Sequence, residues 1–488
     1  MIDDARIDAI VRQVMAELGQ GERVRHGPPP QLPDTSQPPP PAPDLRHGDN
    51  LFPDVDSAVA AAGRAYVQLG GMPLAVRERM IAHIRRTTRE NAQLLASEAW
   101  QETGMGRYED KIQKNLLNAN KVPGTEILSP IAWTGDDGLT LVEYAPYGVI
   151  GAIIPSTNPT STVICNTIGM VAAGNAVVFN AHPGARACSN HTVQLMNEGI
   201  VEAGGPPNLV CAVAEPTIES AQQIMHHPDI KLLAVTGGEA VVHAAMQSGK
   251  RAVCAGPGNP PVVVDETADL EQAGRDIVRG ASFDNNIICI DEKEIFAVAS
   301  IADELKRVMG NHGAYEINSW QLNRLMRAIF TQVPPAGQPG MVNKAFVGKN
   351  AGVLLKEIGV DVGDEIRLVM AEVEADHPLV LTEQLMPVIP LVRVRDAGEG
   401  IDLAKVAERG FRHTAVMHSK NLDHLSRMAC EMDCSIFVKN GPSCAGVGNG
   451  GEGFCSFTIA SPTGEGITNP ISFSRIRRCV LKDVFRIV

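Results

Sequence analysis

Apolar positions along this chain fall into two rhythms, and the switch between them lays out the fold. From Phe52 they recur at helical spacing. Asp54–Gln68 and Leu74–Ala99 are rich in Ala, Arg and Glu, and Tyr108–Asn118 continues in the same period. At Leu139 the period changes. Leu139–Tyr144 alternates as an exposed strand does, and Val149–Ile154 is continuously apolar as a buried strand is. The polar loop Pro155-Ser156-Thr157-Asn158-Pro159-Thr160 follows, then a helical pattern over Val163–Ala173 and the apolar run Ala176–Phe179. Strand, loop, helix, strand is the repeating unit of a parallel sheet.

The alternation continues through a helix at Ser189–Ala203, a strand at Leu209–Val213, a helix at Ile218–His226 and a strand at Leu232–Val235. Thr236-Gly237-Gly238 then opens a helix over Glu239–Gly249, and strands follow at Val262–Val264 and Ile295–Ala299. The pattern predicts an α/β protein with a doubly wound sheet that binds its ligand at the carboxyl ends of the strands. Further on it predicts helices over 303–311, 319–329, 404–409 and 422–432. It also predicts a short strand within 348–355, an apolar loop over 379–390, a mobile glycine-rich loop over 446–453 and a closing strand over 478–488.

The first fifty residues differ in kind. Residues 2–18 form an amphipathic pattern, with Ile2, Ile7, Ile10, Val11, Met15 and Leu18 on one side, ended by Gly19 and Gly21. So short a helix is marginal alone in water and looks for a partner groove. The stretch from Gln20 to Gly48 holds Pro28-Pro29-Pro30 and Pro38-Pro39-Pro40-Pro41 and cannot build a core, so it reads as a disordered tether. A helix on such a leash is expected to dock elsewhere; the alternative is a terminus that folds back on its own domain.

Composition narrows the function. The 488 residues carry a formal charge of −13, which argues against nucleic acid or an anionic membrane as partner. The ten cysteines form no dense framework; Cys430 and Cys434 are four apart, but no second close pair completes a metal set. Free thiols in a reducing compartment are expected. One of them, Cys289, follows Asp284-Asn285-Asn286-Ile287-Ile288, between a helical pattern over Glu271–Phe283 and the apolar run Glu294–Val298. A cysteine in such a connection can be both rigid and reachable, as a thiolate nucleophile must be, although most cysteines of a cytosolic protein are small buried hydrophobes. Thr236-Gly237-Gly238 is a phosphate site at a helix start or merely a tight turn; Gly-x-Gly-x-x-Gly is absent. Glu383, alone among apolar neighbours, is a ribose ligand or a structural ion-pair partner.

Taken in order, Pro155-Ser-Thr-Asn158-Pro, Val235-Thr-Gly-Gly238, Ala255-Gly-Pro-Gly-Asn259, Cys289 and Glu383-x-x-x-Pro387 resemble the aldehyde dehydrogenase superfamily over about residues 50–488. The runs Ala255–Val264 and Gly280–Cys289, and the ending Phe485-Arg-Ile-Val488, are similar to the coenzyme-A-acylating branch of bacterial microcompartments. The N-terminal helix and tether resemble an encapsulation peptide.

The resemblance implies an aldehyde dehydrogenase-like fold: a disordered tag and linker, a doubly wound NAD-binding domain, an α/β catalytic domain and a small β oligomerisation extension. It divides the chain into 1–19, 20–48, 49–258 (with oligomerisation strands near 139–147), 259–455 and 456–488. It implies Cys289 as nucleophile, Asn158 with the Cys289 backbone N–H as oxyanion donors, and cofactor contacts from Pro155, Ser156, Thr157, Asn180, His182, Thr236, Gly237, Gly238, Ala255, Gly256 and Glu383.

Two departures from the wider superfamily bear on the chemistry. Ala255 stands where acid-releasing enzymes carry the glutamate that activates water, and loss of such a base costs about 10²–10⁴ in rate. The expected acceptor of the acyl group is therefore coenzyme A, unless another carboxylate such as Glu266 folds into that place. Asn180 replaces the usual lysine after the strand at 176–179. No Lys or Arg directly follows to meet a 2′-phosphate, so NAD is favoured over NADP. His182 is expected to cap the next helix or to touch a cofactor phosphate. The resemblance also implies a small aldehyde such as propanal or acetaldehyde as substrate. It implies a shell protein as partner for residues 1–19, a dimer or tetramer, and a place in the bacterial cytoplasm inside a microcompartment.

Overall fold

Val149–Ile153 is buried at every position, which only a central strand with covered faces allows. It pairs in parallel with Ala176–Asn180 on one side and Ile230–Thr236 on the other. The computed structural model describes residues 50–487, so the helix and tether expected over 1–48 lie outside the described residues. The first sheet runs, edge to edge, Leu51–Phe52, Val210–Val213, Ala176–Asn180, Val149–Ile153, Ile230–Thr236, Ala252–Ala255, all parallel. The chain leaves Val149–Ile153 in one direction for two strands, then returns to its other side for two more. The order therefore reverses between Val149–Ile153 and Ile230–Thr236, and a crevice opens at their carboxyl ends.

Helix Pro159–Ala172 starts in that crevice and is buried at all fourteen positions. A helix without a polar face must be enclosed. Here Leu74–Thr103 and Tyr108–Lys121 pack over it. The second sheet, also parallel, runs Ala314–Glu316, Leu368–Glu372, Val388–Val394, Glu294–Val298, Pro261–Val264, Thr414–His418, Ile436–Lys439. One apolar core joins the two sheets, with Ile150 and Val178 from the first and Val262 and Ile295 from the second in the same cluster. A third sheet is antiparallel: Gly138–Pro146 lies between Ile131–Gly135 and Ser474–Lys482, pairing with the latter from Gly138↔Lys482 to Pro146↔Ser474. Its outer strands expose Ile131, Trp133, Ile476 and Val480.

Four expectations need correction. The strand expected within 348–355 is the helix Ala351–Glu357. Ala351, Leu354, Leu355 and Ile358 stand at i, i+3, i+4 and i+7 and bury one face against Met326 and Val369, so the helical period was present. The closing strand is Ser474–Lys482 rather than 478–488; it ends where Asp483 turns into the left-handed region at φ 60°. The helix placed at 404–409 is Ala397–Ala407, capped by Asp396. Gly398 and Gly400 obscure its start, yet a Cβ on Gly400 would stand 3.2 Å from a Val263 methyl, which is why a small residue sits there. The loop over 379–390 ends early, because Val388 already begins a buried strand.

Candidate active site

The loop before Cys289 is built from three consecutive residues with positive φ: Asp284 (45°), Asn285 (56°) and Asn286 (64°). Asp and Asn are the non-glycine residues that tolerate this region, at a cost of about 1–3 kcal/mol each when held there. Each is held by its own side chain. The Asp284 carboxylate accepts from the Arg107 backbone N–H (2.6 Å) and from the Lys111 (3.1 Å) and Lys114 ammonium groups. The Asn285 amide donates to the Gly348 carbonyl and to Asn350 Oδ1, both at 2.8 Å. The Asn286 amide donates to the Ala281 and Glu292 carbonyls. Buried Lys293 closes the loop from below, donating to the carbonyls of Asn286 (3.0 Å) and Ile288 (3.3 Å). Asp291 Oδ2 accepts from the Ile288 N–H at 3.0 Å.

The loop delivers Cys289, half-buried, to the wall of a cavity of about 400 Å³ in the crevice of the first sheet. Pro155, Ser156, Thr157, Asn158, Asn180, His182, Thr236, Gly237, Gly238, Gly256 and Glu383 line the same cavity. Ala255 does not reach it. It is 1% exposed, and its carbonyl accepts from the Gly237 N–H at 3.1 Å. Glu266 is exposed and does not line the cavity, so the carboxylate considered as a substitute base is not in place. Glu383 is the one carboxylate among the described lining residues.

Burial pushes the Cys289 thiol up to about 12; Glu383 adds to the shift and Lys293 opposes it. Burial likewise raises Glu383, against the pull of Lys293 and a hydrogen bond from the Gly258 N–H (3.2 Å). Among the described residues Glu383 makes no ion pair; the Gly258 N–H is its hydrogen-bond donor. Gly258 is obligatory, since a Cβ there would lie 2.6 Å from the Cys289 carbonyl and 2.9 Å from the His413 ring. His182 Nδ1 accepts from the Gly184 N–H at 3.0 Å, capping the turn Pro183–Ala185. The Asn180 carboxamide is taken up by Ser220 Oγ, which donates to its Oδ1 at 2.6 Å. Arg186 is paired with Glu215.

The sequence reading gave no role to Lys114, Asp284 or Lys293, which hydrogen-bond to Asn158 and within the nucleophile loop behind the cavity. It also missed the wall Ser456, Phe457 and Ile459. A lysine in an amphipathic helix gives no sign of being buried. The run Asp291-Glu292-Lys293-Glu294, all fully buried, did offer one, because buried charges need partners; Glu292 and Lys293 have them, whereas burial raises the Asp291 and Glu294 carboxyls well above the usual range.

The model of the aldehyde dehydrogenase family matches residues 50–314. The acetylating acetaldehyde dehydrogenase EutE of Salmonella typhimurium is 50% identical over 443 residues, 91% of this chain and 94% of the relative. The crystal structure of Rhodopseudomonas palustris propionaldehyde dehydrogenase with bound CoA and an acylated cysteine superposes with a TM-score of 0.86. It is 48% identical and covers 89% of this chain and 98% of that one. A propionaldehyde dehydrogenase from the fucose utilisation microcompartment of Clostridium phytofermentans has a TM-score of 0.87 and 48% identity, covering 90% of this chain and all of that one. The chain thus belongs to the aldehyde dehydrogenase family, in its coenzyme-A-acylating branch.

Proposed function

We propose that this enzyme oxidises a short-chain aldehyde to its acyl-CoA, with NAD and coenzyme A, through a thioester on Cys289. The observation that carries the reading is the meeting of Cys289 and Asn158 on one cavity wall, with an alanine, turned away, where a water-activating glutamate would stand.

The cavity fits a dinucleotide. Thr236-Gly237-Gly238 ends a strand at the sheet's switch point and opens the helix Glu239–Gln247, and the space beside Gly238 Cα is empty to 4 Å. Backbone N–H groups and the helix dipole favour a pyrophosphate there. Glu383, on the cavity lining, accepts from a ribose hydroxyl in this reading. The pairing of Arg186 with Glu215, and the absence of any cation directly after strand Ala176–Asn180, favour NAD over NADP. When bound, NAD supplies the hydride acceptor.

The chain's own groups do the rest. The Cys289 thiolate adds to the aldehyde carbonyl, and the Asn158 amide and the Cys289 N–H stabilise the oxyanion. Loss of the aldehyde hydrogen as hydride leaves the acyl group as a thioester. Apolar walls from Ile287, Ile288, Phe457 and Ile459 keep water poorly placed, so the thiolate of coenzyme A attacks, and Cys289 leaves as thiolate. Propanal and acetaldehyde are the substrates of the relatives named above, and a cavity of about 400 Å³ suits a small aldehyde beside a nicotinamide.

The test is NADH formation from propanal with and without coenzyme A, with the acyl product identified by mass spectrometry. Turnover that requires coenzyme A and gives propionyl-CoA is expected. Equal turnover without it, giving propionate, would overturn the reading and point to Glu383 as a base for water. We further assign residues 1–19 to docking on a microcompartment shell protein, and the outer strands of the third sheet to a dimer or tetramer.

A further inference from the structure

Asn158 can serve an oxyanion only if its amide nitrogen, not its oxygen, points into the cavity. Asn158 precedes helix Pro159–Ala172, yet its side chain does not cap that helix. Its Oδ1 accepts instead from Lys114 Nζ at 2.7 Å, and its Nδ2 donates weakly to Thr157 Oγ1 at 3.3 Å. Lys114 lies within helix Tyr108–Lys121 and is 1% exposed. Its ammonium bonds on its other side to Asp284, the first left-handed residue of the nucleophile loop. An ammonium has three donors and no acceptor, so it admits one orientation of a carboxamide and rejects the flipped one.

We propose that Lys114 is a positioning residue for the oxyanion hole, locking the Asn158 amide nitrogen toward the reacting carbonyl and, through Asp284, tying that donor to the loop that carries Cys289. The inference rests on the reaction proposed above and adds a residue to it.

The surroundings fit a built device. Asp284 is fully buried and takes the Arg107 backbone N–H, Lys111 and Lys114; its own N–H donates to Asp110 Oδ2 at 2.9 Å. Asp110 in turn accepts from Arg367 at 3.1 Å. Gly106, at φ 76°, lets the carboxylate in, for a Cβ there would stand 2.0 Å from Asp284 Oδ1. A single carboxylate thus spans the two halves of the catalytic pair. Burial lowers Lys114 to about 8 while Asp284 pulls it up, and Asp284 stays below the usual carboxylate range because Lys111 and Lys114 outweigh its burial.

The experiment is a double-mutant cycle on the full-length enzyme with propanal, NAD and coenzyme A. Lys114→Met is expected to lower kcat about 10- to 100-fold, less than the roughly 10²–10³ that follows loss of an oxyanion donor outright. The KM for NAD is expected to stay within about threefold, since cofactor binding does not use the amide. The rate of Cys289 alkylation by iodoacetamide should be unchanged, because that displacement develops no oxyanion. Added to Asn158→Ala, Lys114→Met should cost less than about twofold more, the mark of two residues acting as one unit. If the methionine variant does not fold, Lys114→Gln carries the same cycle. Additive losses, or a KM for NAD that rises in step with the fall in kcat, would show a merely structural lysine and overturn the inference. Failure of the wild-type enzyme to make propionyl-CoA would instead overturn the reaction on which it rests.

Discussion

A thiol at the bottom of an apolar cavity resists ionisation, and Cys289 is held near 12 by its burial and by Glu383. A raised thiol pKa means that the reactive thiolate is a trace species at neutral pH and gains about tenfold per pH unit. Alkylation of the ligand-free enzyme by iodoacetamide, followed as loss of activity, should rise log-linearly from pH 7 to 9.5 without a plateau. A plateau near pH 7 would mean that Lys293 and the loop dipoles outweigh burial. Glu383→Gln removes the charge that opposes the thiolate and a ribose acceptor together. It should raise the KM for NAD several-fold while speeding alkylation, and a steady-state assay paired with iodoacetamide kinetics separates the two effects. At this scale the sequence was informative for several polar groups that line the cavity and silent for its Ser456–Ile459 wall and for the groups behind it. Asn158, Cys289 and Glu383 sit in recognisable runs, whereas Lys114 is one more charge on a helix whose burial depends on what packs over it.

Between Leu270–Ala281 and Glu294–Val298 the chain spends a left-handed run on presenting one sulfur. That run is supported by polar groups buried in the second half of the turn. Glu292 accepts from Ser443 N–H (2.7 Å) and Oγ (2.6 Å), and a Cβ on Gly280 would lie 2.2 Å from its carboxylate. Gly280→Ala should therefore displace both the nucleophile loop and the 443–447 turn. A loss of about 1–3 kcal/mol in urea unfolding, with activity falling further than stability alone explains, is the expected outcome. Strands buried on both faces were legible from apolar continuity, as at Val149–Ile153. Thr414–His418 and Ile436–Lys439 were not, because each offers only three consecutive apolar residues before a terminal His418 or Lys439 and their pairing is set by distant neighbours. Helix Ala351–Glu357 was misread although Ala351, Leu354, Leu355 and Ile358 carry the helical period, because the adjacent Val353-Leu354-Leu355 run reads equally as a short buried strand.

On the scale of the whole molecule, the two parallel sheets share one core, so the crevice of the first sheet and the nucleophile loop are joined by continuous packing. The order reversal that makes the crevice could be anticipated from the alternation of elements; the pairing of Ser474–Lys482 with a strand more than three hundred residues earlier could not. Removal of residues 1–20 should leave kcat and KM unchanged and abolish co-purification with shell protein, measured by pull-down from cells making both. Loss of activity instead would place that segment in the fold. Ile476→Lys with Val480→Lys puts charge on the exposed face of the outer strand. The proposed dimer or tetramer should then fall to smaller species in sedimentation while each subunit stays folded.

That same sheet carries Trp133, 52% exposed on the strand Ile131–Gly135. The chain's other two tryptophans, Trp100 and Trp320, are also substantially exposed. The intrinsic fluorescence of a lone subunit is consequently that of wet indoles, red-shifted and readily quenched by iodide. With Trp100 and Trp320 replaced by Phe, a concentration-dependent blue shift reports water leaving Trp133, which makes the protein its own optical gauge of association without a label.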